Sequence, residues 1–155
     1  MTNPISGYRA RVLGTAAGLL ALSAFAAPAL PLADVILNVR SVWSGVYTAA
    51  QAERGRTTFE QSCAMCHRPD LSGRGSIPAL RGDAFKGERH GTSVGELFEL
   101  VRSTMPPGRS GTLAPEVYAD VVAYLLSANA YPPGQTELPT HEESLHGIVF
   151  DEKAD

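Results

Sequence analysis

Cys63-Ala64-Met65-Cys66-His67 is the stretch on which the reading of this chain turns. It holds both cysteines of the sequence, with an imidazole directly behind the second. A C-x-x-C-H run is the attachment signature of a c-type haem, whose vinyl groups take the two thiols while the adjacent imidazole becomes an axial iron ligand. The short spacing has a physical reason. Both thiols must sit over one edge of the macrocycle while the next residue turns its ring nitrogen under the iron, and a helical turn ending at the histidine does all three. Cys63 and Cys66 are therefore candidates for covalent attachment of one haem, and His67 for a metal ligand. Two other chemistries use the same residue types. A free C-x-x-C pair serves thiol–disulfide exchange, but that reading wants a βαβ setting, which this chain lacks. A zinc site would need a fourth ligand and would strain to use the sequence neighbours Cys66 and His67 on one ion.

Residues 1–33 read as a secretory signal peptide. Arg9 and Arg11 form a positive start, Val12 to Ala29 is rich in alanine and leucine and free of charge, and small residues recur at Ala24, Ala26, Ala27, Ala29 and Ala33. Cleavage after Ala26, Ala29 or Ala33 fits equally. The rival reading is a retained membrane anchor, since the apolar run approaches the ~20 residues that a spanning helix needs. Its alanine and glycine content and Pro28 and Pro31 make it a poor one. Export implies a periplasmic location, and contact with the membrane only if the segment is kept.

The remainder is one modest domain. Removing Arg9 and Arg11 with the leader leaves 11 of the 13 basic residues against 16 acidic ones, a net charge of −5, so nothing suggests nucleic acid. The imbalance is local. Residues 132–155 hold six acids against Lys153, whereas residues 68–109 hold seven bases against five acids. With both cysteines in one motif, none is left for a structural disulfide.

Three stretches carry helical periodicity. The first runs from about Thr48 to Cys66, with Gly55 and Phe59 one turn apart on one face. Pro115 to Asn129 carries an apolar stripe at Val117, Val121, Tyr124, Leu125 and Ala128. Gly55 costs helix propensity, by about 1 kcal/mol against alanine, unless another backbone comes close there. A crossing of these two helices, with Phe59 against Tyr124, supplies the reason. The third starts at Ser93-Val94-Gly95-Glu96, a capping box, and runs to about Thr104 with Leu97, Leu100 and Val101 facing inward, until Pro106-Pro107 follows. Between His67 and Ser93 lie 25 residues with five glycines and two prolines. So long a loop makes sense if it wraps a large flat ligand that supplies the missing apolar surface.

The chain resembles the class I cytochromes c over most of residues 46–131. The matching pieces are Gly55 and Phe59, the Cys63–His67 motif, Ile77-Pro78-Ala79-Leu80, Met105-Pro106-Pro107-Gly108, and Tyr118 to Leu126 with Tyr124. The resemblance implies an all-α fold, a small domain of three main helices wrapped around one covalently bound haem. It divides the chain into the signal peptide (1–33), a lead-in (34–47), the cytochrome c domain (48–131) and an acidic C-terminal tail (132–155). It implies Met105 as the second axial ligand and the Pro78 carbonyl as acceptor of the Nδ1 proton of His67. The string from Val94 through Met-Pro-Pro to Ala-Tyr-Leu-Leu is also similar to small periplasmic cytochromes that accompany quinoprotein dehydrogenases.

Each assignment has a plainer competitor. Met105 would otherwise be a core methionine, but Met1 leaves with the leader and Met65 is pinned between the cysteines. His90, His141 and His146 read as solvent-facing, with a bis-His site using His90 as the chief rival. Pro78 would otherwise be a turn former, and Arg81, placed near a haem propionate, a solvated arginine. Trp43 and Tyr47 read as packing or docking aromatics, and Ile148-Val149-Phe150 either tack the tail back onto the domain or stay free. The implied function is one-electron transfer by a periplasmic carrier that is not an enzyme. Its partners would be redox donor and acceptor proteins, among them a quinoprotein dehydrogenase and a terminal oxidase or another cytochrome. Docking would use an apolar haem edge rimmed by Met65, Ile77, Ala79 and Pro106. The competing class is a haem enzyme or a gas or redox sensor, which needs a vacant or labile distal site.

Overall fold

The structure, a computed structural model, describes residues 39–154; the leader at 1–33 lies outside the described residues, as does the start of the lead-in. Among the described residues the chain forms six α-helices and one two-stranded ribbon, so the fold is almost wholly helical. No described helix is long and apolar enough to cross a membrane.

Helix α1 (Ala49–Ser62) begins where the Thr48 hydroxyl accepts the Gln51 N–H at 3.1 Å. Its exposed face is tied by ion pairs of Arg56 with Glu53 and Glu60, three and four residues away. The expected single helix to Cys66 is broken at Cys63, whose backbone (φ −122°, ψ −32°) leaves the helical region, and a one-turn helix α2 (Ala64–His67) follows. Arg68 ends that turn with φ +66°. Helix α4 (Val94–Thr104) has the full capping box: Ser93 Oγ accepts the Glu96 N–H, and the Glu96 carboxylate accepts the Ser93 N–H. Helix α5 (Pro115–Ala128) has proline at its first position and ends at Asn129.

The most extensive packing is that of α1 on α5. A Cβ on Gly55 would stand 1.8 Å from the Asp120 carbonyl oxygen, so the close backbone approach accounts for the glycine. One turn on, the Phe59 and Tyr124 rings lie 5.3 Å apart. The core they enter includes Phe98, Tyr118, Leu125 and Leu126, each nearly inaccessible to solvent.

One further expectation needs correction. The stretch between His67 and Ser93 is not all loop, because Gly82–Arg89 forms helix α3, anchored by its single buried residue, Phe85. Beside the three main helices, α1, α4 and α5, stand three short ones, α2, α3 and α6 (Glu142–His146). Of the two readings of Ile148-Val149-Phe150, the structure has the one in which they tack the tail back onto the domain. Val42, Val46 and Tyr47 on one side and Leu138, Leu145, Ile148 and Phe150 on the other belong to the same core cluster. The two ends meet as parallel strands, β1 (Arg40–Ser41) beside β2 (Ile148–Val149), with Arg40 opposite Ile148. Reciprocal backbone bonds, Gly91 N–H to the Phe150 carbonyl and Phe150 N–H to the Thr92 carbonyl, hold β2 to the start of α4. Trp43 donates its indole N–H to the Asp151 carbonyl at 2.9 Å and packs against Tyr131, the ring centres 4.7 Å apart and tilted at 58°.

Candidate functional site

The Cys63–His67 motif lies where α1 gives way to α2. Cys63 N–H still bonds the Phe59 carbonyl at 2.8 Å, while the Cys63 carbonyl accepts the N–H groups of Cys66 (3.1 Å) and His67 (3.0 Å). This is one turn of helix with a thiol at each end and the imidazole on its last residue. Cys63 is half-buried, Cys66 exposed and His67 buried.

All three line an apolar cavity of about 280 Å³. Phe59 and Ser62 of α1 form one part of the wall, Ile77, Pro78 and Leu80 a second, and Val121 and Leu125 of α5 a third. Leu97, Leu100, Val101 and Thr104 of α4 complete it with Met105, Pro106 and Pro107. No carboxylate, guanidinium or ammonium lines it among the described residues. The Thr104 hydroxyl is spent on the Leu100 carbonyl at 2.6 Å.

His67 Nδ1 lies 3.1 Å from the Pro78 carbonyl oxygen. A carbonyl only accepts, so Nδ1 carries the proton and Nε2 keeps its lone pair. Among the described residues Nε2 has no hydrogen-bond partner. Such an imidazole is in the tautomer a metal requires. Gly73 makes the Pro78 position possible: it sits at φ +71°, where a Cβ would stand 2.7 Å from the Pro78 carbonyl carbon.

Met105 is the C-cap of α4, its N–H bonded to the Val101 carbonyl at 2.9 Å and its own carbonyl accepting the Tyr118 hydroxyl at 3.1 Å. The sequence pattern places Tyr118 in the last helix but gives its hydroxyl no partner. The signal was there in principle, since a buried tyrosine needs a partner for its hydroxyl. Asn129, which the sequence pattern gives only as the end of the last helix, bonds the Leu80–Gly82 segment.

Other candidates fall outside the cavity. Arg81 is exposed and donates to the Asp70 carbonyl at 3.4 Å. His90 and His141 are exposed. His146 is exposed too, and bonds Ser93 through Nδ1 and Glu99 through Nε2. Of the four expected rim residues, Ile77 and Pro106 line the cavity, while Met65, 94 % exposed, and Ala79 do not.

The geometry bears on the rival readings. Burial pushes the Cys63 thiol up, and the neighbouring Cys66 adds to this, the reverse of the depressed value that makes a cysteine reactive in exchange. Among the described residues no group of three or more His, Cys, Asp or Glu side chains is placed to hold a metal ion, which leaves zinc without a site there. A c-type haem fits what is present: two thiols, an imidazole with a free Nε2, a thioether and an apolar enclosure.

Residues 50–125, which run from the first turn of α1 to Leu125 of α5, match the family model described as cytochrome C oxidase, cbb3-type, subunit III. No curated protein and no solved structure matches the chain.

Proposed function

We propose that this chain, whose residues 50–125 form a class I monohaem cytochrome c-type domain, is a periplasmic one-electron carrier with its haem iron held between His67 and Met105. The observation that carries the reading is that both residues line one apolar cavity with the two cysteines, and that His67 keeps its protonated nitrogen on Pro78.

Bound there through Cys63 and Cys66, the haem supplies an iron that cycles between ferric and ferrous states with no bond made or broken in a substrate. His67 offers Nε2 to the metal and holds the Nδ1 proton on the Pro78 carbonyl, which fixes the ring and raises its basicity. Met105 offers a soft thioether, which favours the ferrous state, from a loop pinned by Tyr118 and two prolines. Phe59, Leu97, Val101, Val121 and Leu125 keep water away from the site. The enzyme or sensor reading wants a polar distal group, and the absence of any acid or base other than His67 and the cysteines along the described wall weighs against it.

Donor and acceptor proteins would meet the site at the edge bordered by Ile77 and Pro106, by brief contacts of small area. A quinoprotein dehydrogenase as donor and a terminal oxidase or another cytochrome as acceptor suit that role. The deciding experiment is expression with and without a haem-maturation system, followed by a visible spectrum and a potentiometric titration. A low-spin His/Met spectrum with a single one-electron midpoint supports the carrier. High-spin protein at neutral pH sinks it.

A further inference from the structure

We infer that Asn129 is a positioning residue for the iron site, which by gripping the segment after Pro78 sets the strength of the bond between the Pro78 carbonyl and His67. The inference rests on the reading of His67 as an iron ligand.

Asn129 is 3 % exposed and uses its side chain three times. Its Nδ2 donates to the Leu125 carbonyl at 2.8 Å, a bond that closes the end of α5. The other two bonds leave the helix: Nδ2 donates to the Leu80 carbonyl at 3.0 Å, and Oδ1 accepts the Gly82 N–H at 2.9 Å. A helix end needs only the first. The other two fasten a segment nearly fifty residues earlier, whose far side is closed by the Leu80 N–H on the Leu71 carbonyl at 2.8 Å.

Pro78 lies two residues before this fastened segment and has no N–H of its own with which to anchor. Its peptide is held on one side by Gly73, against which no Cβ would fit, and on the other by Leu80. Loss of the Asn129 bonds loosens the segment on the C-terminal side of Pro78, with the Leu80 N–H still on Leu71, and lets the Pro78 carbonyl draw away from His67. A weaker Nδ1–H···O bond makes the imidazole less basic, so it supports ferric iron less, and the potential rises.

The test uses the holoprotein with Asn129→Ala, Asn129→Asp and Asn129→Ser. Aspartate keeps the acceptor for Gly82 but cannot donate to Leu80. Gln51→Ala is the control: it cuts a comparable pair of buried bonds, to Leu138, at residues that do not line the cavity. In the alanine and serine variants the ferric–ferrous balance should move toward ferrous by up to about tenfold, about 59 mV for one electron, while the aspartate variant, whose added negative charge favours ferric iron, is read by proton exchange alone. Exchange of the His67 Nδ1 proton, followed by NMR, should quicken by about tenfold, while the low-spin spectrum persists. Gln51→Ala should lose stability without either change. Midpoints and exchange rates in the Asn129 variants that match the control would overturn the inference, as would loss of folded holoprotein in all three variants, which marks Asn129 as a structural cap alone. A parent protein without a His67-ligated low-spin haem overturns both this inference and the proposed function, whereas a low-spin parent with silent Asn129 variants overturns this inference only.

Discussion

Gly55 and Asp120 approach so closely that a Cβ on the glycine would meet the aspartate's carbonyl oxygen at 1.8 Å and its carbonyl carbon at 2.4 Å. These are backbone atoms, so no side-chain rotation relieves the clash. In an isolated helix Gly55→Ala would stabilise by about 1 kcal/mol. Across this crossing the sign reverses, and a loss of more than about 3 kcal/mol is expected. Urea unfolding of the holoprotein distinguishes the two, since a gain would mean that α1 and α5 do not cross at Gly55.

Met105→Ala tests the distal ligand. It should shift the haem toward high spin, lower the reduction potential, and let cyanide or carbon monoxide bind far faster. Met105→His should restore a low-spin site at a potential below the parent's, because imidazole lacks the thioether's preference for ferrous iron. An unchanged spectrum in Met105→Ala would assign the position to another residue and leave the apolar cavity unexplained.

Helix α5 starts without a side-chain cap, since Ala114 stands at the N-cap with extended backbone (φ −63°, ψ 149°). A serine there can accept an N–H of the first turn. Ala114→Ser should therefore stabilise the protein by about 0.5–1.5 kcal/mol, read as a raised melting midpoint. A flat or lowered midpoint would count against the cap.

Glu137 accepts two hydrogen bonds from Arg54, each 3.0 Å, and these hold its carboxyl below the usual carboxylate range. Its contribution is thus present above the unfolded value of about 4.3 and is lost as pH falls through the lower folded one. Both side chains are about half exposed, so the term is small. Glu137→Gln should be slightly less stable than the parent at pH 7 and should lose less stability between about pH 5 and pH 3. Parallel urea midpoints for the two proteins across that range would show that the pair contributes nothing.

What was legible in the sequence had a repeating physical cause. The long helices announced themselves by apolar spacing, by the cap at Ser93 and by a proline at the first helical position, Pro115, and Gly55 by its misfit in a helix. Helix α3 had no such signal: its eight residues hold two glycines and one residue that becomes buried, Phe85. Its place is fixed by Asn129, which bonds Gly82, and by Phe150, whose ring meets Phe85 edge-on at 6.3 Å. The C-terminal elements are shorter still, and Leu145 and Ile148 fold only against parts of the chain far away in sequence. At the candidate site, Cys63, Cys66 and His67 stand in a short motif that can be read directly. The bonds from Tyr118 and Asn129 join segments whose nearness only the fold creates.

The parallel ribbon that joins Arg40–Ser41 to Ile148–Val149 sets an order of events. A core that counts Ile148 and Phe150 among its members cannot be completed until those residues have been synthesised. The half-buried Cys63 and buried His67 thus take their final surroundings only in a chain whose C-terminal residues are already in place.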